Sequence, residues 1–353
     1  MIAGAVRRNV GAALALAASF AFAASAASAG QEEPPVAVDN AALFARWQAA
    51  QKLHAAGKLD EARAEMAAIL AADPRNLELA LAMTRWLAEV RDDFATALPF
   101  ARRAAELGAA KADAINLVGS VLTMGGAAAE SERVFAAGAE KFPADFLLWF
   151  GLGVARGQQK KYLEAKVAFA EALRLAPENG LVLFSAGENF TNLRDYEAAE
   201  RAFLLAVKLK GHDDASWRLG QVLALQGKHE AAEKVLTPAL TQGGKAARFQ
   251  AALQLGMLWV ERDRAAEALP LLTQATEERP TSREAWRWLA RAQRALGRPE
   301  VATRSMKRYA ELRADEDRIE EEHLLSLIRA QLQGGAASGG SGGGSGSGSG
   351  GGE

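Results

Sequence analysis

From about Asn40 to Leu332, every segment with a regular apolar pattern follows the 3.6-residue step of a helix. None alternates as a strand would. A longer period runs through these helical segments. Gly119, Gly153 and Gly187 stand 34 residues apart, as do Phe135, Phe169 and Phe203; Pro143 to Pro177 and Ala165 to Ala199 repeat the step. A fixed period of that length marks a solenoid, one supersecondary unit stacked on copies of itself. The pattern therefore predicts an all-α chain of stacked helix-turn-helix units. Such arrays offer a long binding surface and seldom a closed catalytic pocket.

The clearest unit runs from Phe146 to Asn179 and carries Trp149, Leu152-Gly153, Tyr162, Ala165, Phe169, Ala172 and Pro177. The next, Gly180 to Gly211, keeps Gly187, Phe190, Tyr196, Ala199, Phe203 and Ala206, with Gly211 in place of the closing proline. Other copies drift further. Ser131 stands where alanine is expected, and in the poorest copy, Leu77 to Ala110, Pro99 sits where a helix should continue. About eight copies cover roughly residues 40–310.

These residues resemble the tetratricopeptide repeat, whose pattern is W-x2-L-G-x2-Y, then A-x3-F, then P. The tyrosine after Gly153 is absent, with Arg156 in its place. The resemblance implies a right-handed solenoid in which the first helix of each repeat lines a concave, ligand-binding groove. The residue types have physical reasons. Glycine after the leucine of a first helix lets the second helix approach closely, and Ala165, Ala199 and Ala232 do the same from the facing helix. Phe169 and Phe203 fill the space between repeats, each burying about 150–250 Å². Pro74, Pro143, Pro177 and Pro280 stop the second helices.

The ends differ from the middle. Arg7 and Arg8, an alanine-rich apolar stretch from Val10 to Ala24, and Ala27-Ser28-Ala29 read as a secretory signal peptide over residues 1–29, removed before Gly30. A polar linker, 30–39, would follow. The expected location is the periplasm or the medium; an uncleaved membrane anchor is the alternative. Residues 311–333 read as a capping helix, with Leu312, Ile319, Leu324, Leu325, Ile328 and Leu332 on an apolar stripe. Residues 334–353 are glycine and serine with two alanines and a final glutamate, a composition that does not fold.

Composition narrows the function. The 42 basic and 43 acidic residues nearly cancel, so neither nucleic acid nor an acidic membrane is implied. There is no cysteine, which removes disulfides and thiolate metal sites. His54, His212, His229 and His323 show no i, i+4 pairing, so no metal or cofactor is expected. Gly151-x-Gly153 lies inside a first helix and lacks the preceding strand of a dinucleotide site. Nothing points to an enzyme.

The first-helix stripe opposite the packing residues reads Leu147, Phe150, Val154; then Leu181, Phe184, Glu188, Asn192; then Asp214, Trp217, Gln221. In the C-terminal unit it reads Glu284, Arg287, Arg291, Arg294. Aromatic residues and arginine dominate binding hot spots. Phe150, Phe184, Glu188, Trp217, Arg287, Arg291 and Arg294 are thus the candidate partner-binding residues, the arginines receiving an acidic stretch. Two other readings stay open. The aromatics could be core, and the arginines could pair with the acidic run Asp315 to Glu322. The function expected is an exported scaffold for protein or peptide partners, with envelope assembly as the family analogy. A carrier for an exported polymer such as a polysaccharide is the alternative.

Overall fold

The computed structural model describes residues 40–90, 93–108, 110–209 and 213–338. The expected signal peptide, the linker 30–39 and residues 339–353 of the expected tail lie outside the described residues. Among the described residues there are sixteen α-helices, one π-helical turn and no strand. They form eight consecutive helical pairs, in two compact units divided after Ala215.

The first unit holds α1 (Asn40–Ala55), α2 (Leu59–Ala72), α3 (Leu77–Arg85), α4 (Phe94–Glu106), α5 (Ala112–Met124), α6 (Ala128–Lys141), α7 (Phe146–Gln158), α8 (Tyr162–Leu175), α9 (Gly180–Asn192) and α10 (Tyr196–Lys208). The division falls inside α11 (Asp213–Leu225). The second unit continues with α12 (His229–Gln242), α13 (Lys245–Glu261), α14 (Ala265–Glu278), α15 (Arg283–Ala295) and α16 (Pro299–Ser338).

One contact builds the pairs. Gly119 faces Phe135, Gly153 faces Phe169, Gly187 faces Phe203, Gly220 faces Leu236 and Gly256 faces Leu272. The spacing is 16 residues in each case. A Cβ at Gly153 or Gly187 would stand 2.8 or 2.7 Å from the opposing ring, closer than real contacts allow. The large side chain is in effect seated on bare helix backbone. Phe135 is used twice, because Gly151 of the next pair also meets its ring. On the second helices of the following pairs, Ala165, Ala199 and Ala232 are fully buried.

The turns inside the pairs share a second device. Gly57, Gly126, Gly227 and Gly297 have φ between 70 and 83°, and Lys160, Arg194 and Asp263 take the same left-handed position at φ 58–61°. Only glycine adopts that conformation without steric cost. Three turns thus carry it on larger residues, which hides them in the sequence.

Departures from the repeat pattern are absorbed locally. Ser131, in place of alanine, is fully buried, and its hydroxyl donates to the Gly119 carbonyl at 2.9 Å. Pro99 does not end α4; the helix runs through it, as α14 runs through Pro270. In α4, burial of Ala97, Phe100, Ala101 and Ala104 offsets the lost hydrogen bond. The preceding α3 passes into a π-helical turn over Trp86–Val90.

The C-terminal boundary differs from the sequence expectation. The last second helix and the expected cap are one helix, Pro299–Ser338, because neither glycine nor proline occurs between Glu300 and Gln333. It also takes in Gly334 to Ser338, which the composition assigns to the tail. Of the expected capping stripe, Leu312 is buried while Ile319 and Leu325 are exposed.

Candidate partner-binding surface

In the first unit, α7 and α9 are first helices of adjacent pairs. Each starts at a side-chain cap. Asp145 accepts from the Leu147 N–H, and Asn179 accepts from the Leu181 and Val182 N–H groups, both at 3.1 Å. Between the two helices is a narrow cavity of about 40 Å³. Val154 and Gly157 form one wall, Leu181 and Phe184 the other, with Glu188 and Asn192 at its polar edge. Gly157 opens it. A Cβ there would meet nothing within 4 Å, in contrast to Gly153 one turn earlier.

Asn189 lies under this cavity, 4% exposed. Its Nδ2 donates to the Tyr162 carbonyl at 3.0 Å, while its Oδ1 is buried without a hydrogen-bond partner. A buried acceptor left unmatched is costly. Asn189 was not among the candidate residues, because on the sequence it counts only as one more polar position beside Glu188.

The aromatic residues part company. Phe150 is 7% exposed, with its ring centroid 6.2 Å from that of Phe169. Trp217, in the second unit, is 6% exposed beneath the Arg218 guanidinium, 4.1 Å away. Both are packing residues, a correction to their expected place on an open track: a ring at that position reaches the second helix of its own pair. Phe184 also touches its partner, Phe203, edge-on at 5.7 Å, but keeps a partly open face in the cavity.

The second unit carries the basic site. Arg287, Arg291 and Arg294 are exposed and surround a cavity of about 380 Å³ whose other lining residues are Trp288, Ala290, Met306 and Glu261. The guanidiniums of Arg287 and Arg291 lie 5.6 and 4.8 Å from the buried Trp288 ring, an arrangement that favours cation–π attraction. Among the described residues of the acidic run, Glu316 pairs with Arg283 of α15 at 3.0 Å, and Asp315 and Asp317 pair with Arg318 and Arg313 of their own helix. Arg287 reaches Glu284 at 3.4 Å. Among the described residues, neither Arg291 nor Arg294 has a carboxylate within 4.0 Å.

His54 Nε2 lies 3.3 Å from Asp93 Oδ2 beside the π-helical turn. Among the described residues no group of three or more histidine, aspartate and glutamate side chains could hold a metal ion. No helix there is long and apolar enough to cross a membrane.

Paired helices on a repeating contact of glycine against phenylalanine or leucine, with clefts along the first helices, define an α-helical repeat protein. Models of the tetratricopeptide repeat match residues 147–179, 184–247 and 260–321, and the chain is a tetratricopeptide repeat protein. A tetratricopeptide repeat protein from Parabacteroides merdae is similar over 69% of this chain and 96% of its own, at 13% identity and a TM-score of 0.55. The Cut9–Hcn1 hetero-tetramer of the APC/C is similar over 71% of this chain and 49% of that one, at 17% identity and a TM-score of 0.53. YrrB, a TPR protein described as having an unusual peptide-binding site, is similar over 56% of this chain and 97% of its own, at 19% identity and a TM-score of 0.41. No curated protein matches the chain significantly.

Proposed function

We propose that the chain is a non-enzymatic scaffold that binds protein or peptide partners, exported after removal of residues 1–29 and serving assembly in the cell envelope. The observation that carries the binding reading is the cavity between α7 and α9. It joins an apolar wall at Phe184 and Leu181 to the polar edge at Glu188 and Asn192. An apolar side chain of a bound segment fills that wall, and its backbone N–H groups find acceptors at the edge. Small apolar clefts with a few polar groups are suited to such anchoring. Export rests on the basic, alanine-rich N-terminal segment and its small-residue cleavage site.

The test is affinity capture from envelope extract, with wild-type chain and with the Phe184→Ala, Glu188→Ala double variant. A discrete protein retained by the wild type and lost by the variant supports the reading. Capture of glycan in place of protein would favour the polymer-carrier function, and identical capture by both chains would remove the cavity from the account.

A further inference from the structure

α16 runs antiparallel to α15: Ser305 donates to the side-chain oxygen of Gln293 at 2.8 Å, and Arg283 pairs with Glu316 at 3.0 Å. Arg283 is the first residue of α15, so α16 has no α15 residue beside it beyond about Glu316. It nevertheless continues to Ser338, a further 33 Å or so at about 1.5 Å per residue. In this projecting part Ile319 is 61% and Leu325 is 43% exposed. Ile319, Glu322 and Leu325 follow at three-residue steps, sharing a strip about 120° wide. Glu321 and Glu322 are exposed beside the two apolar residues. The strip is therefore mixed apolar and acidic.

The cavity on α15 has the opposite character. Trp288 and Met306 line it together with Arg287, Arg291, Arg294 and a single carboxylate, Glu261, and among the described residues neither Arg291 nor Arg294 has a carboxylate within 4.0 Å. The strip of the same chain does not reach it. Met306 and Ile319 lie on one helix without glycine or proline between them, about 20 Å apart along the axis. The strip can meet such a cavity only on another molecule.

We propose that the projecting part of α16 docks across the Arg291–Arg294 cavity of a second copy, so that the chain associates head to tail. The acidic residues of the strip pair with the arginines, and Ile319 and Leu325 cover Trp288 and Met306. The contact is heterologous, with each copy offering one strip and one cavity, so association continues beyond two unless it closes into a ring. It stands apart from the peptide-binding reading, since it involves neither α7 nor α9.

Sedimentation velocity of the full chain tests this, with a strip variant (Ile319→Ser, Leu325→Ser) and a cavity variant (Arg291→Ser, Arg294→Ser). All four positions are exposed, and circular dichroism should show the helical content unchanged. The wild type should form oligomers that grow with concentration, and raising salt from about 0.05 to 0.5 M should weaken association by about tenfold. Each variant alone should be monomeric. Their equimolar mixture should give a dimer and nothing larger, because one intact strip then meets one intact cavity. A wild type that stays monomeric at about 0.5 mM in low salt would overturn the proposal. So would a cavity variant that associates like the wild type, which would mean that the strips pair with each other, and so would a mixture that stays monomeric.

Discussion

The ring of Phe203 rests on the backbone of Gly187, so close that a Cβ on the glycine would come within 2.7 Å of it. Phe203 is fully buried and has nowhere to move. Gly187→Val should therefore cost about 1–3 kcal/mol through overpacking. Gly157 is the control. It is also inside a first helix but faces open space, so Gly157→Ala should raise stability by about 0.5–1 kcal/mol. Urea midpoints followed by circular dichroism check both.

Trp217 is expected to behave as core. Trp217→Ala should lower stability by about 3–5 kcal/mol, as Phe203→Ala should, in place of a selective loss of binding. Matched denaturation curves for the two variants decide it, and a Trp217→Ala chain as stable as the wild type would contradict the burial.

Arg194 holds φ 58° at the turn between α9 and α10. Glycine tolerates that conformation, so Arg194→Gly should stabilise the chain by about 0.5–1 kcal/mol, whereas glycine in the middle of a helix would do the reverse. The thermal midpoint should rise.

Glu132 ties α6 to the next pair. Its carboxylate accepts from Lys161 at 2.7 Å, Gln159 at 2.9 Å and Arg156 at 3.0 Å. The Lys161 hydrogen bond, with those of Arg156 and Gln159, lowers its pKa from 4.5 to about 2. A lowered folded pKa means stabilisation that is complete above about pH 4.5 and lost as the pH falls toward 2. Glu132→Gln should cost about 1 kcal/mol at pH 7 and flatten stability across that acid window. A variant with the same acid profile as the wild type would show that the cluster is not coupled to folding.

The repeat architecture was legible because the glycine–phenylalanine contact needs fixed residue types at fixed spacing, so Gly153 and Phe169 announce it on their own. The turns were only half legible: Lys160, Arg194 and Asp263 occupy positions where the conformation asks for glycine, and nothing local marks them. Exposure on the first helices was not legible. Phe150 and Phe184 occupy equivalent positions, and what separates them is Gly157, whose missing side chain opens space beside Phe184. A one-dimensional stripe cannot show a hole made by a residue on the neighbouring helix. The same limit applied to the arginines, since the pairing of Glu316 with Arg283 depends on where α16 runs beside α15.

The most direct test of the scaffold account is the affinity of library-selected peptides for Gly157→Leu relative to the wild type, by fluorescence anisotropy. The added side chain starts from a Cβ position with no atom within 4 Å and extends from the wall of the cavity between α7 and α9. The account predicts an unchanged fold and affinity at least about tenfold weaker, equivalent to roughly 1.4 kcal/mol. Peptides that bind the filled and open cavities equally well would contradict it.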